Sequence, residues 1–222
     1  MPPDEPPLPE GAVPGESRRP MAIAVIGMTV LIVLPPYAFP ALAITTAVMM
    51  LVLLGVAVVS DPGRIDDMSP HARRVSLALV GFLLLAALGS TVILMYDIVF
   101  SAPLTKDAPL LLFVGAKVWV GNNVAFSLLY WQLDRGGPAE RARALRPYAD
   151  LAFPQDQNPD IRPPDWRPRF WDYLYVGFTT ANAFSPTDTM PLTHWAKLAM
   201  GMEALISFLL VGLIIASAIN AL

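Results

Sequence analysis

The residues able to do chemistry in this 222-residue chain sit inside long apolar runs, where they are costly. Asp97 and Lys117 interrupt stretches that otherwise hold no charge, and Glu203 lies in one whose other charge is Lys197 near its start; Asn122, Asn123 and Ser207 add amides and a hydroxyl there. An ionisable group at membrane depth is by default a functional hypothesis. Lys117 could snorkel and pair with Asp97, either fixing a helix hairpin or holding an ion. Trp119, Asn123, Ser127 and Tyr130 recur at helical spacing on one face, with Asn122 on another. Such a face either glues helices together or lines a pore. Glu203 and Ser207 share a face of the last apolar run; Glu203 would accept hydrogen bonds from Thr179 or Thr180, or face an aqueous vestibule.

Other chemistries find little support. Without cysteine there is no disulfide or thiolate site, and His71 and His194 are too far apart to suggest a metal centre. No P-loop, nucleophile elbow or paired-carboxylate site lies outside the apolar runs. We therefore expect no enzyme and no cofactor. A net charge of −3 argues against nucleic acid as a partner.

The elements that must position these residues are membrane helices. Apolar residues make up 55% of the chain, and mean hydropathy is +0.53. A helix crossing the hydrocarbon core needs roughly 20 mostly apolar residues. Residues 1–20 are proline-rich with almost no bulky apolar side chain, and read as a disordered tail. Residues 21–60 carry no charge, and Pro35, Pro36 and Pro40 divide them into helices over 21–34 and 41–60. Further helices are predicted over 75–99, 109–133 and from 195 onward. The fold class is thus an all-α integral membrane protein of about five transmembrane helices. Its regions are the tail, a four-helix region over 21–133, an Arg/Pro-rich loop over 134–170, and a carboxyl-terminal unit over 171–222.

Arginine sets the orientation. The tail, loop 61–74 and segment 134–170 must share one side. They hold all twelve arginines, whereas the opposite side shows only Lys106. That side is cytoplasmic by the positive-inside rule, which leaves the carboxyl terminus outside. Trp166 and Trp171 suit the interface, and the arginines suit anionic headgroups of the bilayer.

Residues 171–197 carry the functional argument. A short apolar stretch over 171–186, too short to span, leads through a turn into the last helix. A non-helical loop at membrane depth is tolerated only where protein buries it or it lines a water-filled cavity. The segment resembles the pore-loop and inner-helix unit of tetrameric potassium channels: Asp188, Pro191, Thr193, Trp195, Ala196 and Lys197 match its tail, and Met202 to Ser207 (MEALIS) resembles an inner-helix start. This resemblance covers about the last fifty residues. The whole chain also resembles a widespread bacterial polytopic membrane-protein family, through Trp131–Pro138 (WQLDRGGP) and Phe178–Thr193.

The filter departs from the channel pattern. Ala183, Phe184, Ser185, Pro186 and Thr187 stand where the channels have TVGYG. Filter glycines permit the positive φ that lets successive carbonyls face an ion. Pro186 instead fixes φ near −65°. Potassium selectivity by stacked carbonyls is not expected. The entry side, cytoplasmic here, is also opposite to that of potassium channels.

The resemblance implies an ion-channel-like homo-oligomer in the bacterial cytoplasmic membrane, a tetramer if the likeness holds; the lost filter glycines and Pro186 would leave it weakly selective for monovalent cations. Its narrowest part would be Phe178, Thr179, Thr180, Asn182, Ala183, Phe184, Ser185, Pro186, Thr187 and Asp188. Asp188 would either cap the turn or supply a ring of carboxylates. The alternative is a non-conducting scaffold or accessory subunit.

Overall fold

The computed structural model describes residues 15–35, 39–60, 64–65, 68–100, 107–146, 148–164, 166–182 and 188–220. It is mostly helical. Strand β1 (Glu16–Ser17) precedes helix α1 (Arg19–Val33) and helix α2 (Pro40–Ser60). Strand β2 (Arg64–Ile65) leads to α3 (Pro70–Phe100) and α4 (Ala108–Leu133). A short helix α5 (Pro138–Ala142), strand β3 (Leu151–Ala152) and one-turn helix α6 (Pro154–Gln157) follow. Helix α7 (Phe170–Asn182), strand β4 (Met190–Pro191) and helix α8 (His194–Asn220) complete the order.

Four helices, α2, α3, α4 and α8, are long and apolar enough to cross a membrane. These are four of the five expected spans. The first, α1, has 15 residues and reaches about 22 Å at 1.5 Å per residue, short of a core about 30 Å thick. Only 28–39% of the best window in each of the four is buried within the chain. Their uncovered surface is apolar: Leu42, Val48, Val52 and Val59 on α2, and Leu198, Leu205, Phe208 and Ile215 on α8. Faces of this kind need lipid or another subunit against them.

Helices α1 to α4 pack as sequential neighbours, and α4 also packs against α7 and α8. One apolar core joins Met21, Val25, Met50, Leu83, Phe126 and Trp131; a smaller one holds Leu94, Leu111, Leu210 and Ile214. Asp107 starts α4 as its N-cap, its side chain accepting from the Leu110 amide at 3.0 Å.

All the arginine-rich segments meet at one end of the bundle. Strand β1 pairs antiparallel with β2, and Arg73 at the start of α3 bonds Glu140 of α5. Strand β3 pairs antiparallel with β4, which places the residues before α8 beside the segment following α5. One expectation is corrected here. Tail residues 15–17 are structured: Glu16 accepts from Trp131 Nε1 (2.8 Å) and from the Phe170 amide (2.7 Å), and pairing with β2 satisfies the strand backbone. In segment 134–170, Asp134, Arg141, Leu151, Phe153 and Phe170 are buried.

Candidate functional site

The candidate site is a seam of buried polar groups where α7 is clasped between α4 and α8. Helix α7 runs antiparallel to α4: Tyr173 lies against Asp134, Gly177 against Ser127, and Phe178 against Trp119. The Phe178–Trp119 contact is edge-on, with centroids 6.0 Å apart. Gly177 lets the helices close. A Cβ there would collide with Ser127 Oγ and come within 3.2 Å of the Asn123 carbonyl oxygen and 3.4 Å of Glu203 Oε1.

Around that contact Asn123, Ser127, Tyr130, Thr180, Glu203 and Ser207 are all buried. Tyr130 donates its hydroxyl to Glu203 Oε2 at 2.6 Å. Ser127 Oγ donates to the Asn123 carbonyl at 2.7 Å, a bond four residues back along α4. Glu203 Oε1, Asn123 Nδ2 and Thr180 Oγ1 are buried without a partner among the described residues. The helical face of Asn123, Ser127 and Tyr130 is therefore the one that meets α7 and α8. Asn122 faces elsewhere, donating to Thr91 Oγ1 of α3 at 2.5 Å.

Several expected contacts are replaced by others. Glu203 takes its hydrogen bond from Tyr130, not from Thr179 or Thr180. Thr179 Oγ1 donates to backbone carbonyls within α7, of Tyr175 (2.9 Å) and Val176 (3.0 Å). Phe178, Thr179, Thr180 and Asn182 are helical rather than part of an extended loop. Asn182 Nδ2 folds back on the Phe178 carbonyl at 2.9 Å. Ala183, Phe184, Ser185, Pro186 and Thr187 lie outside the described residues, and Asp188 is exposed.

No ion pair joins Lys117 to Asp97 among the described residues. Lys117 donates instead to the carbonyl oxygen of Leu34, the C-cap of α1. Physically this is a good substitute: a helix carboxyl end has unsatisfied carbonyls and the negative end of its dipole, both favourable to an ammonium. Asp97 and Lys117 do line one cavity of about 520 Å³ between α1, α2, α3 and α4, otherwise mostly apolar.

A second polar assembly, at the arginine-rich end, went unrecognised in the sequence. Asp134 is fully buried. Its Oδ1 accepts from the amides of Asp150 (2.9 Å) and Leu151 (3.0 Å), and its Oδ2 from the Tyr173 hydroxyl at 2.5 Å. Asp150 accepts from the Arg135 amide (2.8 Å) and from Trp195 Nε1 (3.0 Å). Arg141 donates to the Trp131 and Asp134 carbonyls and lies over the Tyr173 ring. Arg135 bonds Asp156. Burial is the main reason the Tyr173 phenol titrates well above its ordinary value; the Arg141 charge opposes the shift and the Asp134 carboxylate supports it. The turn that makes this possible has three successive positive φ values, Arg135 at 50°, Gly136 at 80° and Gly137 at 104°. Two glycines accept such angles without cost, and only Arg135 is strained. The available sequence signal was an acid at the end of an apolar helix followed by Gly136-Gly137-Pro138.

No family model, no curated protein and no solved structure matches the chain.

Proposed function

We propose that the chain is one subunit of a homo-oligomeric, ion-channel-like membrane protein, in which α7 and the residues after it dip into the membrane and return, lining its narrowest part at 178–188. One observation carries this reading: the segment begins and ends at the same end of the bundle. The Phe170 amide is held there by Glu16, and Met190–Pro191 pairs there with Leu151–Ala152. Between them Phe178 reaches Trp119, twelve residues up α4 from Trp131 or about 18 Å at helical rise. A surface stripe of α7, Trp171, Tyr175, Phe178 and Asn182, is exposed in the single chain, as a subunit interface requires. The membrane is the bacterial cytoplasmic one in this reading, with the arginine-rich end inside.

Cation flux into liposomes holding the purified protein is the test. Weakly selective monovalent cation flux is expected, since Pro186 and the absence of filter glycines remove the carbonyl array. Asp188→Asn should lower the preference for cations over anions while leaving assembly intact. A sharply potassium-selective current would overturn the filter argument. Absence of flux would favour a second reading, a non-conducting scaffold or accessory subunit. The observation behind that alternative is that Phe178–Asn182 are helical and Thr180 is buried, which leaves few residues to form a constriction.

Orientation is tested separately. Alkaline phosphatase fused after Leu222 is expected to be active and a fluorescent protein at the same site dark. The reverse pattern would invert the topology.

A further inference from the structure

Three oxygen atoms lie beside Gly177, and the Ser127 hydroxyl brings the only side-chain hydrogen among them. The position a Cβ would take on Gly177 lies 3.4 Å from Glu203 Oε1, 3.2 Å from the Asn123 carbonyl oxygen and in collision with Ser127 Oγ. Ser127 spends its hydroxyl hydrogen on the Asn123 carbonyl. Glu203 is 0% exposed; Tyr130 serves its Oε2, and no donor serves its Oε1 among the described residues. Ionised, Glu203 would bury a full negative charge with one hydrogen bond and its second oxygen without a donor among the described residues.

We propose that Glu203 is a proton-binding site inside the membrane, holding its proton on Oε1, the oxygen that no donor serves among the described residues. One added hydrogen removes the charge and the orphaned acceptor together, while Oε2 remains the carbonyl oxygen that accepts from Tyr130. No neighbouring charge offers an alternative. On α4, Tyr130 touches Glu203 and Lys117 bonds Leu34. On α7, Tyr175 is exposed, and the Tyr173 hydroxyl is committed to Asp134, with Arg141 over its ring. On α8, His194 and Lys197 lie exposed in the first turn, and no other ionisable residue follows Glu203. Losing the proton would leave a charge in the seam between α4, α7 and α8. Proton occupancy therefore governs how firmly α7 is seated, whether or not the protein conducts.

Infrared difference spectra of the purified protein between neutral and alkaline pH, with melting curves over the same range, test this. At neutral pH the wild type should show the carbonyl stretch of an un-ionised carboxylic acid, lost at alkaline pH. A proton held above the pH at which an unfolded glutamate releases it stabilises the fold at low pH, and that stability is lost as pH rises. Melting temperature should therefore fall as the band disappears. Glu203→Gln should abolish the band and flatten the melting profile over that range. Tyr130→Phe should keep the band but move it to higher frequency, because it removes the hydrogen bond into the carbonyl; this variant decides the matter if the glutamine protein does not fold. A wild type without the band at neutral pH, or a band unchanged in the variants, would overturn the proposal.

Discussion

Asp134→Ala should lower stability by ~3–5 kcal/mol, as removing one member of a buried charged network does. The carboxylate is fully buried and joins three elements: it ends α4, receives both amides at the start of β3, and takes the Tyr173 hydroxyl from α7. Alanine would leave three donors unmatched, of which the Leu151 amide and the Tyr173 hydroxyl are buried, each costing about 1–3 kcal/mol before relaxation. It would also leave the Arg135 guanidinium, whose Nε lies 3.7 Å from Asp134 Oδ2, without that acidic neighbour. Asp134→Asn should cost less, since its carbonyl oxygen keeps the two amide bonds and only the Tyr173 contact is compromised. Tyr173→Phe should cost about 1 kcal/mol, the ordinary worth of one hydrogen bond. Melting curves of detergent-solubilised protein read all three. An alanine variant that melts with the wild type would mean that the Asp134 network contributes little.

Gly177→Leu should unseat α7 from the bundle, and Gly177→Ala should destabilise the protein by ~1–3 kcal/mol, the range for overpacking a close contact. The collision is specific. A methyl group at Gly177 meets Ser127 Oγ first, and next the backbone carbonyl of Asn123 at 3.2 Å. Ser127→Ala removes the first obstacle, so the Gly177→Ala, Ser127→Ala pair should recover much of the loss. It cannot recover leucine, whose larger side chain must still pass backbone. Protease accessibility around α7, read beside melting temperature, separates local unseating from global unfolding. Equal melting of the glycine and alanine proteins would show that α7 does not approach α4 as closely as drawn here.

Patterns contained within one helix were readable from the chain alone. Uncharged runs of sufficient length marked α2, α3, α4 and α8, because a bilayer requires every backbone bond to be made within the segment. Proline placed the break between α1 and α2. Helical spacing put Asn123, Ser127 and Tyr130 on one face and Asn122 on another, and those faces do point to different neighbours. Arginine placement grouped the tail, the 61–74 loop and the 134–170 segment on one side, and Glu16, Arg73 and Glu140 do meet there.

What spacing could not supply was the partner of each polar group. Lys117 was matched with Asp97 because side-chain charges are visible in a sequence, whereas the Leu34 carbonyl it uses is a backbone group 83 residues away and carries no residue-type signal. Tyr130 reaches Glu203 across 73 residues, and Tyr173 reaches Asp134 across 39. Each contact depends on the relative register of two helices, set by how side chains pack and by where Gly177 permits close approach. The buried groups of residues 134–170 were illegible for a related reason. Arginine and proline in a polar stretch suggest solvation, yet Arg141 is buried because two backbone carbonyls and the Tyr173 ring converge on it only in the assembled fold. The sequence by itself therefore determined a multi-pass helical membrane protein with its arginines at one end. The tertiary structure alone decided that a carboxylate is sealed among α4, α7 and α8 with one oxygen lacking a donor, because only packing at a distance can exclude water from a group that is otherwise strongly hydrated.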